Sequence, residues 1–233
     1  MSQTVVQLNA DRVTHVFLIQ GTEGAVLVDT GSPGAADTIL EQMRGRGIAP
    51  QDLRLILITH GHTDHFGSAA ALRERTGAPV AVHHLDAEAL RQGVHQPDSL
   101  KPTGPLWALM MRLSALRTLF VPDRVSALEP DIAFEAPFRL DPYGVAGQAI
   151  HTPGHTPGAV SVVLEDGAAI VGDMVMGQLM GLLPRAGGPI VAWDLEQNRE
   201  SVRKLQALSP RIIYTGHGGP FRAEDLAGLN EKE

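Results

Sequence analysis

Apolar positions along this chain follow two rhythms, and the switches between them predict its elements. Short runs dense in Val, Ile and Leu read as strands. In the first half these are Val16–Leu18, Ala25–Val28, Leu53–Ile58 and Pro79–Val82. In the second half they are Ile132–Phe134, Phe138–Leu140, Val145–Ile150, Val160–Leu164, Ala168–Val171 and Arg211–Tyr214, the first three of them a predicted meander. Helical patterns appear from about Gly34 to Arg44, closed by Gly45 and Gly47, and over Ser68–Arg75. A third covers Asp194–Leu208, with apolar Leu195, Val202, Leu205 and Leu208.

Aligned against each other, the halves repeat one order. Strand Ala25–Val28 ends on Asp29, a helix follows, and Leu55–Ile58 leads into Thr59-His60-Gly61-His62. Strand Ala168–Val171 leads to Asp173, a helix follows, and Arg211–Tyr214 leads into Thr215-Gly216-His217-Gly218. Two such halves packed sheet to sheet would bring both sets of strand ends to one edge. Residues 60–65 would then lie near residues 155, 173 and 217.

Composition narrows the class. At 233 residues, 43% hydrophobic and 19% charged, the chain can bury a substantial core as an ordinary globular protein. It is expected to form a single domain over 1–233, with Gln92–Pro130, rich in proline around a helical stretch, as an insertion. The net charge of −7, without a basic run, argues against nucleic acid as a partner. Zero cysteines exclude disulfides, cysteine metal sites and a thiol nucleophile, so any site must use His and carboxylates. No secretory signal and no stretch approaching 18 apolar residues is visible, so a cytoplasmic protein without membrane contact is expected.

The chemistry concentrates in His60-Gly61-His62-Thr63-Asp64-His65, directly after the apolar run Leu53–Ile58. Three imidazoles beside a carboxylate repel one another when protonated and are costly to bury unpaired. A bound cation reverses that balance, because neutral imidazole and carboxylate are preferred ligands of zinc-class metals. His155, Asp173 and His217 stand in similar Gly-flanked turns after strands, where glycine permits a close backbone approach. His15, His83, His84 and His95 read as solvated or hydrogen-bonded residues; His151, nearer the site and four residues from His155 on a turn, reads the same way, with orienting a ligand as its alternative. Tyr143 and Tyr214 could face an oxyanion or simply pack. The apolar stretch 106–120 reads as a packed helix, with a lid over the site or a homodimer contact as alternatives. Met174–Leu183 could line the same pocket.

In this order the motifs resemble those of the metallo-β-lactamase-fold superfamily, across residues 29–217. The resemblance implies an αββα four-layer sandwich, two packed mixed β-sheets with helices on the outer faces. It implies one metal on His60, His62 and His155 and a second on Asp64, His65 and His217, with Asp173 bridging. Asp29 matches the family's strand-end acid, which orients a ligand imidazole. Two divalent ions, zinc or else iron or manganese, can lower the pKa of a shared water from about 15.7 towards 7. Asp64 would ligate and also aim the resulting hydroxide.

Departures from particular branches narrow the substrate. His62 stands where flavodiiron oxidoreductases carry Glu, and the stretch after Asp173 lacks the Gly-Arg-Thr-Asp-type sequence of persulfide dioxygenases. The glyoxalase II-like helical addition, the accessory regions of nucleic-acid-processing branches and an export signal are not seen. The expectation is a hydrolase of an ester, lactone, thioester or related bond in a small, apolar substrate. A mononuclear iron thiol or persulfide dioxygenase and a phosphodiesterase or nuclease stand as alternatives.

Overall fold

The structure is a computed structural model that describes residues 3–10, 14–112, 123–178 and 183–230. The chain opens with β1 (Thr4–Leu8), β2 (Val16–Gln20), β3 (Ala25–Val28), α1 (Ala36–Arg44) and β4 (Leu53–Ile58). The one-turn helix α2 (Thr63–Phe66), α3 (Ala69–Thr76), β5 (Val80–His83) and α4 (Ala87–Gln92) follow. Next come β6 (Lys101–Pro102), α5 (Pro105–Arg112), β7 (Ile132–Phe134), β8 (Phe138–Arg139), β9 (Gly147–His151), β10 (Val160–Leu164) and β11 (Ala168–Ile170). Three two-residue strands, β12 (Met176–Gly177), β13 (Ala186–Gly187) and β14 (Val191–Ala192), precede α6 (Leu195–Ala207) and β15 (Ile212–Tyr214).

Two mixed sheets stack face to face. The six-stranded sheet runs β1-β2-β3-β4-β5-β7 and the five-stranded sheet β15-β11-β10-β9-β8. Successive side chains of a strand face opposite ways, and the central strand β4 is apolar on both sides because both sides are covered. Leu55 and Leu57 face the second sheet in the core that also holds Val160, Val162 and Ile170. Ile56 and Ile58 face the other way, against Ile39, Leu40 and Met43 of α1 and Leu72 of α3. Val202 and Leu205 of α6 cover the far side of the second sheet with Ala169 and Ile213. Each such fully buried Leu or Ile contributes about 1.5–3 kcal/mol over an exposed one. The layers are the expected αββα sandwich.

The repeat appears as topology. β3 and β4 are parallel neighbours joined through α1, with Leu27 opposite Ile56. β11 and β15 are parallel neighbours joined through α6, with Ala169 opposite Ile213.

The predicted meander is corrected. β7 adds in parallel to β5 of the first sheet, whereas β8 pairs with β9 in the second. Pro137 has no N–H to continue a ladder, so the chain crosses between sheets there, and Phe134 stacks on Phe138 with ring centroids 4.5 Å apart. The edge strand β1, half-exposed and only briefly apolar, gave no pattern to detect. Leu208 lies past the end of α6 and is 51% exposed instead of packing. Leu106 and Leu109 of α5 are also exposed, which counts against the packed-helix expectation, and residues 113–120 of that stretch lie outside the described residues. Met174, Val175 and Met176 are buried, the first two in the core around α6 and so not free to line a pocket; 179–182 lie outside the described residues.

Candidate metal centre

The candidate ligands predicted from the sequence gather on one edge of the sandwich, at strand ends and on the short helix that follows β4. β4 delivers Thr59 and His60, and the chain then turns into α2, which carries Asp64 and His65. The loop between β9 and β10 carries His155, the turn after β11 carries Asp173, and the turn after β15 carries His217. All seven ligand candidates, His60, His62, Asp64, His65, His155, Asp173 and His217, are buried.

Their donor atoms form three overlapping triads: His60, His62 and His155; His60, His65 and Asp173; Asp64, His65 and His217. Within each, one donor atom per residue lies within 4.8 Å of the others. His217 Nε2 is 3.2 Å from Asp173 Oδ2 and 3.5 Å from Asp64 Oδ2. His155 Nε2 is 3.7 Å from Asp173 Oδ2, and His65 Nε2 is 3.4 Å from Asp173 Oδ1. Asp173 therefore lies against His155 of the first triad and His65 and His217 of the third.

The outer ring nitrogens are already engaged, which assigns the tautomers. His60 Nδ1–H donates to Thr59 Oγ1 at 3.0 Å, and that hydroxyl donates to Asp29. His65 Nδ1–H donates to Asp29 Oδ2 at 2.8 Å. His155 Nδ1–H donates to the Val191 carbonyl at 2.9 Å. His62 is turned the other way: Nε2–H donates to Ser99 Oγ at 2.8 Å, and Ser99 donates to the Gln96 carbonyl.

The lone pairs of the inner nitrogens of His62 and His155 consequently point at one another. His62 Nδ1 and His155 Nε2 stand 3.0 Å apart, close to the ~3.3 Å between ligands of a tetrahedral zinc. His60 Nε2, His65 Nε2 and Asp173 Oδ1 are buried without a hydrogen-bond partner. Buried polar atoms are ordinarily paired, and a cation among them satisfies all of them. The donor set fits a metal.

The electrostatics divide the cluster. Burial, then the neighbouring imidazoles His65 and His155, hold His60 well below the usual histidine value. Burial and His155 do the same to His62, and burial lowers His155. This triad is neutral and ready to ligate. Burial would also lower His65 and His217, but Asp173 and the other carboxylates overcome it. His65 is raised well above its ordinary value and His217 to about 10. Burial would raise Asp64 and Asp173, and their histidine neighbours instead hold both carboxyls below the ordinary range. Without a cation, protons on His65 and His217 balance the carboxylates.

Two glycines make the approach possible. A Cβ on Gly216 would lie 2.2 Å from Asp173 Oδ1 and 2.6 Å from His65 Cε1. Gly172 takes φ +54°, and a Cβ there would meet Thr59 Oγ1 at 2.8 Å.

Several residues that hold the cluster carry no motif. Thr14 Oγ1 donates to Asp64 Oδ2 at 2.9 Å, Ser99 fixes His62, and Asp86 lies beneath the loops that carry His60, His62 and His155. The only signal for Asp86 was an acid just after β5, at the same sheet edge as the other strand-end residues. His95 contacts Thr63, and its ring lies 5.3 Å from His62. His15 Nδ1–H donates to the Thr215 carbonyl. His151 stays outside the cluster, stacked on His83 with its Nε2–H donating to the Pro157 carbonyl. Tyr143 and Tyr214 pack in the core between the sheets.

Comparison with known proteins points the same way. A family model described as the metallo-beta-lactamase superfamily matches residues 10–217. The chain is 30% identical over 231 residues to the probable metallo-hydrolase YflN of Bacillus subtilis (strain 168), covering 92% of this chain and 84% of that protein. It is 40% identical over 226 residues to metallo-beta-lactamase domain-containing protein 1 of Homo sapiens, covering 93% and 66%. The crystal structure of the BLEG-1 B3 metallo-beta-lactamase shares the fold, with a TM-score of 0.69 at 21% identity over 96% of both chains.

Proposed function

This chain belongs to the metallo-β-lactamase superfamily, and from that premise we propose that it is a metal-dependent hydrolase working through two divalent ions of the zinc class. His60, His62 and His155 would hold one ion and Asp64, His65 and His217 the other, with Asp173 between them. Ions bound there supply Lewis acidity, lowering the pKa of a water towards about 7 and polarising the oxygen of the bond to be cleaved. The observation that carries this reading is that His62 Nδ1 and His155 Nε2 face each other at 3.0 Å, with His60 Nε2 buried and without a hydrogen-bond partner in the same triad.

The chain's own residues orient the reactants. Asp64 is ionised, so it can only accept hydrogen bonds. It can therefore aim the attacking water by accepting a hydrogen bond from it. Thr14, donating to Asp64 Oδ2, fixes the direction of that carboxylate. Asp29 holds His65 and, through Thr59, His60. The chain has no cysteine, so no thioester to the enzyme can form, which is consistent with direct attack by water.

The substrate is a small molecule bearing an ester, lactone, thioester or related bond. A panel of lactone, thioester, phosphodiester and β-lactam compounds, run against protein of known metal content, tests this. Metal-dependent turnover of a carboxylic acid derivative supports the proposal. Preference for the phosphodiester, or oxygen consumption with one iron per chain, contradicts it.

A further inference from the structure

We propose that Asp86 is a positioning residue that sets the distance between the two loops carrying His60, His62 and His155, and so the affinity of one metal site specifically. The inference rests on the assignment of those three residues as metal ligands. Asp86 is fully buried at the end of the 3-10 turn His84–Asp86, which follows β5. Its Oδ2 accepts from the Gly61 N–H at 2.8 Å and from Thr156 Oγ1 at 2.5 Å, and its Oδ1 accepts from the Gly158 N–H at 2.8 Å.

The partners of this carboxylate belong to different sheets. Gly61 stands between His60 and His62 after β4 of the first sheet. Thr156 follows His155, and Gly158 lies two residues further on, in the loop between β9 and β10 of the second sheet. One buried side chain thus ties the loop of two ligands to the loop of the third. The 3.0 Å between His62 Nδ1 and His155 Nε2 spans the same two loops. These three hydrogen bonds reach neither Asp64, His65 or His217 nor a residue beside them.

The chemistry of the tie is specific to a carboxylate. Donors converge on both oxygens, so both must be acceptors. An asparagine would turn an NH₂ group against one of those donors and leave it unpaired. The fit is also tight: a Cβ on Gly158 would lie 2.7 Å from Asp86 Cγ, and one on Gly61 3.3 Å from Asp86 Cβ. Residues that orient metal ligands typically change metal affinity by about 10–100-fold when removed.

The test uses the full chain as wild type, Asp86→Asn and Thr156→Val, stripped of metal and titrated with Co²⁺ against a chromophoric chelator. Amide hydrogen exchange of the metal-free proteins is read alongside. Asp86→Asn should weaken one ion by about 10–100-fold and leave the other unchanged, with Gly61 and Gly158 losing amide protection while the β4 amides keep theirs. Thr156→Val, which removes a single donor, should act in the same direction by a smaller factor, and it decides the matter if Asp86→Asn does not fold. Equal weakening of both ions, or unchanged affinity in the variants that fold, overturns the inference. If the wild type binds one ion only, the two-metal assignment fails. The role of Asp86 is then judged on that ion, a fall in its affinity supporting the inference and no change overturning it.

Discussion

Asp29 Oδ2 stands 2.8 Å from His65 Nδ1, and its Oδ1 accepts the Thr59 N–H at 2.8 Å. Asp29 reaches both from a left-handed backbone, φ 63°, a conformation that costs a non-glycine residue energy and that Asp and Asn tolerate better than most. Asn at this position keeps the backbone but weakens the charge-assisted bond to His65. Asp29→Asn, which also turns an NH₂ group against one of the buried donors on this carboxylate, should therefore lower the Tm of the metal-free protein and lower metal affinity by about 10–100-fold. Chelator competition checks this, and unaltered affinity contradicts the assigned role.

Asp64 should be dispensable for folding but not for turnover. Asp64→Ala removes a metal ligand and the hydrogen-bond acceptor that aims the attacking water, and is expected to reduce hydrolysis by about 10²–10⁴-fold. Circular dichroism should show a native spectrum in the same sample. Activity retained at wild-type level with metal bound would sink the role given to this carboxylate.

Gly216 sits where no side chain fits. In Gly216→Ala the new Cβ would press on Asp173 and His65, displacing both by several tenths of an ångström or more. Misplacement of that order can reduce turnover by about 100-fold. Metal content and kcat measured together check this, and a Gly216→Ala enzyme with wild-type values for both contradicts the packing described.

The metal-free protein should be sensitive to alkali. His65 and His217 are raised above their ordinary value, His217 to about 10. The stability they contribute is complete below their unfolded value near ~6.5 and is lost as pH rises towards 10. Differential scanning fluorimetry with a chelator present should show Tm falling from pH 7 to pH 10. The metal-loaded protein, whose imidazoles have already released their protons, should show a smaller fall. A flat Tm in the metal-free protein contradicts the charge balance derived for the cluster.

What could be read from the chain followed from how local the information was. His60, His62, Asp64 and His65 fall within six residues, a density hard to explain as packing. His155, Asp173 and His217 were legible because each follows an apolar strand and has glycine beside it. Asp86, Ser99 and Thr14 were not, because each acts on the site through side-chain contacts to residues 25 to 72 positions away, and no motif marks them. The same limit produced the meander error. Ile132–Phe134 and Phe138–Leu140 are each good strand sequences, and which sheet each joins is decided by β5 and β9, far off in the chain.

Metal stoichiometry tests the central claim most directly. Protein stripped of metal, reconstituted with Zn²⁺, freed of excess ion and analysed for elemental content should hold about two ions per chain, as the two ligand triads require. One ion or fewer per chain after full reconstitution would contradict the two-metal hydrolase.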